Sequence, residues 1–309
     1  MGTSMDKLQS ITMPTGIISL DSILKGGFPA GSFVMLLGEI GAGNAEFAYT
    51  SVLSLLELQR NESFSRAFGN SVLSLPELQR NEKFSGALGN SVIPEKICYI
   101  SLTRSWEDVH DEIGRGFPED LYEMSSKINF KDFSEEYFGR SSVPIEWLTE
   151  PALTFNSLRE KVSGKGLISE MVAYLDENAP KSVVIIDSVT TLAEYCANPG
   201  HSAEWSDIIS FFRGLQKISK KWGGIVYALL TANILESSLQ EQIMDCADGV
   251  LIFEWDDFGE TKRQRVMHVK KFRGLLPQLE RANLVKFETS VTTDHGFAIS
   301  KVKQVGWQR

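Results

Sequence analysis

The stretch Gly38-Glu39-Ile40-Gly41-Ala42-Gly43-Asn44-Ala45 constrains this chain more than any other. Glycine reaches left-handed backbone at little steric cost, so closely spaced glycines let successive N–H groups turn toward one anion. A phosphate-binding loop has the form G-x-x-x-x-G-K-[ST], in which the Lys reaches the β/γ-phosphates and the hydroxyl holds Mg²⁺. Gly38 and Gly43 stand at the two glycines of that form, with Gly41 and Ala42 between them. Asn44 stands where the Lys belongs, and Ala45 where the Ser or Thr belongs. The turn is kept, but the cation and the metal ligand are not.

The flanks fit such a loop. Phe33 to Leu37 is an apolar run that predicts a buried strand, and Ala45 to Leu58 predicts a helix, giving the order strand, glycine loop, helix. Further along, Ile97–Leu102, Ser182–Asp187, Gly224–Thr231, Val250–Phe253 and Arg265–Val269 predict strands, as do Leu284–Phe287 and Gly296–Ile299. A short strand near Ile128 to Phe130 and helices over Ser157–Asn178 and Trp205–Lys221 complete the pattern, with a polar hairpin around Asp256 to Gly259. Alternating strands and helices predict an α/β fold with a mostly parallel central sheet covered on both faces.

Bulk properties narrow the function. The net charge of −9 and pI near 5.1 argue against a constitutive nucleic-acid binder. Cys98, Cys196 and Cys246 are odd in number and far apart, which predicts buried free thiols. His110, His201, His268 and His295 lack metal-ligand spacing. No charged-then-apolar leader opens the sequence, and no apolar run nears the ~20 residues of a membrane span, so a soluble cytoplasmic protein is expected. Residues 1–13 are expected to be a frayed tail and 14–309 a single domain.

Residues 51–70 and 71–90 agree at sixteen of twenty positions, the mark of a tandem duplication. At ~100° per residue the second copy is turned about 200° from the first, so one straight helix cannot bury both apolar faces. One copy is expected to complete the helix after the loop and the other to form a surface excursion. Ser74 followed by Pro76 offers a fresh helix start.

The wording T-G-I-x-x-L-D-x-x-L-x-G-G-x-P-x-G-S from Thr15 to Ser32, followed by the strand and the loop, resembles a RecA-superfamily ATPase domain of the KaiC/RadA-like group. The resemblance runs from about Thr15 to Ile299. It implies a RecA-like P-loop NTPase fold and assigns a Walker B acid to Asp187, which would hold Mg²⁺ through water. It places a polar sensor at Thr231-Ala232-Asn233. It also places the family's water-polarising glutamate pair where this chain has Thr103 and Arg104; Glu107 and Asp108, further on, read as helix N-terminal acids. Lys271-Phe272-Arg273-Gly274 resembles the family's K-x-R-G, whose Lys and Arg reach a neighbouring protomer's γ-phosphate.

The resemblance thus implies a nucleotide-handling scaffold with no catalytic residue left. Its phosphate contacts would be Gly38, Gly41, Ala42, Gly43, Asn44, Ala45, Asp187 and Asn233, with ATP and Mg²⁺ binding weak or absent. Phosphoryl transfer is catalysed by positioning and charge neutralisation, and Arg104 offers positive charge but no base. The leading reading is a pseudo-ATPase acting as a regulatory or assembly subunit in a homo- or hetero-oligomer of RecA/KaiC-like subunits, with Lys271 and Arg273 acting in trans. The alternatives are a weakly active KaiC-like ATPase and a RadA-like recombination or repair accessory protein. The latter rests on the basic stretch Lys262, Arg263, Arg265, Lys270, Lys271 and Arg273.

Overall fold

The structure, a computed structural model, describes residues 11–68, 91–139, 141, 143–144, 166–197, 204–258, 262–281 and 286–303. Its centre is strand β3, Ser32–Gly38, every residue of which is buried. Because both faces of β3 are covered, its sequence reads as a continuous apolar run rather than an alternation. β3 pairs in parallel with β7 (Ile225–Thr231) on one edge and with β8 (Gly249–Phe258) on the other. Beyond β7 lie β6 (Ser182–Asp187), β4 (Lys96–Ser101) and β5 (Asn129–Asp132), all parallel. Beyond β8 the sheet turns antiparallel through β9 (Lys262–Phe272), β10 (Lys286–Thr292) and β11 (Gly296–Lys303). Parallel neighbours need crossovers, whereas β8 and β9 are joined by a short hairpin.

Alternate strand residues enter opposite cores. Val34 and Leu36 join one core with α1 (Ile18–Leu24), α2 (Asn44–Phe68), α3 (Trp106–Gly116) and α4 (Glu119–Ser125). Phe33, Met35 and Leu37 join the other with α6 (Leu167–Asn178), α7 (Val189–Ala197), α8 (Trp205–Trp222) and α9 (Ser237–Asp245). Between these sets lies the short α5 (Ser134–Phe138), and α10 (Leu276–Arg281) follows β9. The cysteines are free and buried. Among the described residues no helix is long and apolar enough to cross a membrane.

Several boundaries differ from the sequence expectation. Thr12 and Met13, expected in a frayed tail, form β1 and pair antiparallel with β2 (Phe28–Pro29), burying Met13. Asp256 and Asp257, expected in the hairpin turn, are strand residues facing Gln264 and Arg263, so β8 and β9 extend beyond the end of β3. The polar character of that extension hid it, since it has no core to cover. The first repeat copy lies within α2 as far as Phe68. The second copy, 71–90, lies outside the described residues, as do 157–165 of the expected crossover helix.

Two buried carboxylates organise the chain. Asp21 is fully buried and accepts from the Thr15 N–H at 2.7 Å, the Thr15 hydroxyl at 2.8 Å and the Gly16 N–H at 3.0 Å. Gly16 itself sits at φ +79° against the Ser51 carbonyl, so this corner locks the N-terminal segment to α2. Asp248 accepts from the Phe33 N–H and from Gln216 Nε2, each at 3.0 Å, and from Lys220, tying α8 to the start of β3.

Burial outweighs the three hydrogen bonds at Asp21 and pushes its carboxyl up to about 6 from the ordinary 3.8. The unfolded chain therefore loses this proton first as pH rises, and the fold bears an increasing desolvation cost between about pH 4 and 6. Asp21→Asn should lower unfolding free energy by about 1–3 kcal/mol at neutral pH, because an amide N–H₂ meets a backbone donor. In urea titrations the gap between wild type and variant should narrow as pH is raised through that window.

Candidate functional site

The glycine loop leaves the carboxyl end of β3 and enters α2 directly, as its residue order required. Gly41 and Gly43 lie at φ +74° and +108°, a region that favours glycine. The loop is held at its rim. Glu39 N–H donates to the Phe253 carbonyl at 3.0 Å, and Ala232 N–H to the Gly38 carbonyl at 2.8 Å. Trp255 Nε1 donates to the Ile40 carbonyl at 3.2 Å, and its backbone N–H to Glu39 Oε2 at 3.1 Å. Arg265 Nε donates to the Gly41 carbonyl at 2.9 Å. Arg263 and Arg265 both lie over the Trp255 ring, at 4.8 and 4.4 Å from its centroid. The extended β8–β9 hairpin thus grips the loop through its carbonyls.

Asn44 does not reproduce a lysine. Its amide folds back beneath the loop, donating to the Leu36 carbonyl at 3.4 Å. A Cβ on Gly38 would fall 2.3 Å from Asn44 Cγ, so the first glycine of the loop makes room for this side chain. Ala42 is fully buried, and Ala45 opens α2 with a methyl group in place of a hydroxyl.

Asp187 ends β6, separated from β3 by β7. Tyr99 Oη donates to Asp187 Oδ2 at 2.5 Å, and Arg104 Nη1 lies 3.8 Å from the same oxygen. Arg104 also donates to Tyr49 Oη at 3.0 Å and pairs with Glu112, while the Tyr49 and Tyr99 hydroxyls lie 3.4 Å apart. Burial pushes the Asp187 carboxyl up, and the Tyr99 hydroxyl and Arg104 cation oppose that shift. Burial likewise raises both tyrosines, which stay neutral donors. Arg104 is therefore committed to Asp187 and Glu112, and its charge is not on offer to a phosphate.

Sequence reasoning missed Tyr49, Tyr99 and Glu112. The tyrosines lie in apolar runs, and Glu112 is one helix acid among several. Trp255 and Arg265 were also missed as loop contacts, since register alone sets them opposite one another. Ser105 and Asp108 form a reciprocal cap at the start of α3, as expected of an N-terminal acid. Asn233 lies in the turn after β7 at φ +64° and is exposed. Among the described residues no cluster of His, Cys, Asp and Glu could hold a metal ion.

Lys271 and Arg273 lie at the opposite end of the sheet. Lys271 faces Val250 and Phe272 faces Gly249, whereas the loop follows Gly38, which faces Phe253. At ~3.3 Å per residue this is roughly 10–15 Å along the strand. Lys271 Nζ is engaged there by Asp245, with the carbonyl at 2.8 Å and Oδ1 at 3.3 Å. The basic stretch 262–273 is thereby divided: Arg263 and Arg265 beside the loop, Lys271 and Arg273 at the far end.

Arg104→Ala should lower unfolding free energy by about 1–3 kcal/mol at neutral pH, because charged acceptors lose their donor. Chemical denaturation across a pH series checks this; burial raises the Asp187 carboxyl, so the loss should fade at acid pH as Asp187 becomes protonated. A loss unchanged from neutral to acid pH would contradict an ionic role.

No protein-family model matches the chain, and no curated protein matches it by sequence. Solved structures do match by shape. The flagellar accessory protein FlaH from Methanocaldococcus jannaschii superposes with a TM-score of 0.54 at 14% identity, covering 92% of this chain and 96% of that one. The KaiC-like protein PH0186 from Pyrococcus horikoshii OT3 superposes with a TM-score of 0.54 at 17% identity, covering 94% and 100%. Together with the strand, glycine loop and helix at its centre, these likenesses show a RecA-like fold of the KaiC-like kind.

Proposed function

We propose that this chain is a KaiC-like pseudo-ATPase that serves as a regulatory or assembly subunit. The observation that carries the reading is the closed set Tyr99, Arg104, Glu112 and Asp187, in which the one intact acid already has its donor and its counter-charge. Mg²⁺ fits poorly here: Ala45 has no hydroxyl to offer, and Asp187 is engaged. ATP fits through the loop backbone alone, because the first N–H groups of a helix attract phosphate without side chains. Loss of one electrostatic donor costs roughly 10²–10³ in rate, so losing the Lys, the metal ligand and the glutamate together leaves no catalysis to expect.

A subunit role follows from the position of Lys271 and Arg273. Neither reaches its own loop, so any loop-bound γ-phosphate they serve belongs to another chain, a RecA/KaiC-like copy or paralogue. A recombination accessory role has less behind it, since the basic stretch is divided between the two ends of the sheet and the net charge is −9.

The isolated chain should show no Mg-dependent ATP hydrolysis above buffer in a phosphate-release assay. Asn44→Lys/Ala45→Thr should tighten ATP binding about tenfold in calorimetry without restoring turnover while Arg104 remains. Turnover by the wild type would sink the pseudo-ATPase reading. In mixtures with a catalytically competent paralogue, Lys271→Ala/Arg273→Ala should lower the partner's hydrolysis; an unchanged rate would remove the trans role.

A further inference from the structure

The end of the sheet remote from the glycine loop carries a cleft of about 490 Å³ between α8 and the end of β9. On α8, Arg213, Gln216, Lys217 and Lys220 recur at helical spacing, so one face of the helix lines the cleft. On the other wall Arg273 is fixed by its backbone N–H, which donates to the Asp248 carbonyl at 3.0 Å.

Charge in this cleft is unbalanced. Its two acids are already engaged: Asp248 by Lys220, Gln216 and the Phe33 N–H, and Asp245 by Lys271. Arg213, Lys217 and Arg273 have no carboxylate at ion-pair distance among the described residues. Elsewhere several cations are held in ion pairs, as with Arg115–Asp111, Lys181–Glu95, Lys270–Glu241 and Lys286–Asp256. It has acids to spare, 40 against 31 Lys and Arg. Three unneutralised cations sharing one concavity repel one another, and a multivalent anion removes that cost.

We propose that this cleft is a binding site for a diphosphate group, either free or as part of a nucleotide. Two guanidinium forks suit tetrahedral oxyanions bidentately, and Lys217 adds a point charge in the same cleft. The volume falls within the range of small-ligand pockets. Among the described residues no aromatic side chain lines the cleft, which fits phosphate rather than a base. The site is separate from the glycine loop and independent of whether that loop binds ATP.

The test is calorimetric titration of the full chain with sodium diphosphate, ATP and adenosine at low salt, for four proteins. These are the wild type, Arg213→Ala/Lys217→Ala, Arg273→Gln and the loop variant Asn44→Glu. The helix substitutions are exposed and put alanine into a helix, and circular dichroism verifies the fold. Diphosphate should bind with Kd below about 1 mM, and Arg213→Ala/Lys217→Ala should weaken it at least about tenfold. Arg273→Gln should weaken it in the same direction, Asn44→Glu should change it less than about twofold, and adenosine should not bind. Equal affinity for diphosphate and ATP identifies the free anion as the ligand, and tighter ATP identifies the nucleotide. Absence of diphosphate binding, binding indifferent to both cation variants, or binding lost in Asn44→Glu would each overturn the site. So would tighter binding of an acidic peptide or of single-stranded DNA than of diphosphate.

Discussion

Strand β3 is stripped of water on both faces and hydrogen-bonded along both edges, and this double burial is what the rest of the fold serves. A buried peptide group without a partner is expensive, so β3 requires a strand on each side for its full length. β7 pairs the whole of β3, β8 pairs Val34 to Gly38, and Asp248 just before β8 satisfies both backbone groups of Phe33. The chain must then leave the sheet within a few residues to enter α2. The glycines at positive φ allow that exit, and bonds from Glu39 to Phe253 and from Ala232 to Gly38 hold the loop to both neighbouring strands. The shape of the loop is thus fixed by the sheet, independently of any ligand.

That independence bears on the charge at the end of β6. A carboxylate as buried as Asp187 must be neutralised or hydrogen-bonded to persist. Here the chain supplies both parts itself: Tyr99 gives the hydrogen bond, and Arg104 gives the positive charge. Arg104 is thus the internal cation that lets the Asp187 carboxylate remain at the end of β6.

The antiparallel half of the sheet distributes the remaining cations. β8 and β9 run past β3, so Arg263 and Arg265 at one end of the hairpin pack on Trp255 and grip the loop. At the other end, where β9 leaves the sheet, Arg273 meets the cationic face of α8. A stretch that looks continuous in sequence becomes two separate electrostatic features, because a strand of eleven residues spans the sheet from end to end.

Sequence alone determined the scaffold. The apolar run of β3, the glycines of the loop and the alternation of strands with helices dictate a parallel sheet with a phosphate-loop turn at its centre. The missing Lys and hydroxyl are visible as Asn44 and Ala45, since these features are local: each depends on residues adjacent in the chain. Tertiary structure alone decided what surrounds Asp187, how far the β8–β9 hairpin extends, and which cations share a cleft. Tyr49 on α2, Tyr99 on β4, Arg104 in the loop after β4, Glu112 on α3 and Asp187 at the end of β6 come from elements distant in sequence, and no periodicity marks them as partners. Arg213 and Arg273 meet only because Asp248 ties α8 and the end of β9 to the start of β3. Local backbone demands are written in neighbouring residues, whereas charge balance in a buried site is settled by contacts that only the folded chain brings together.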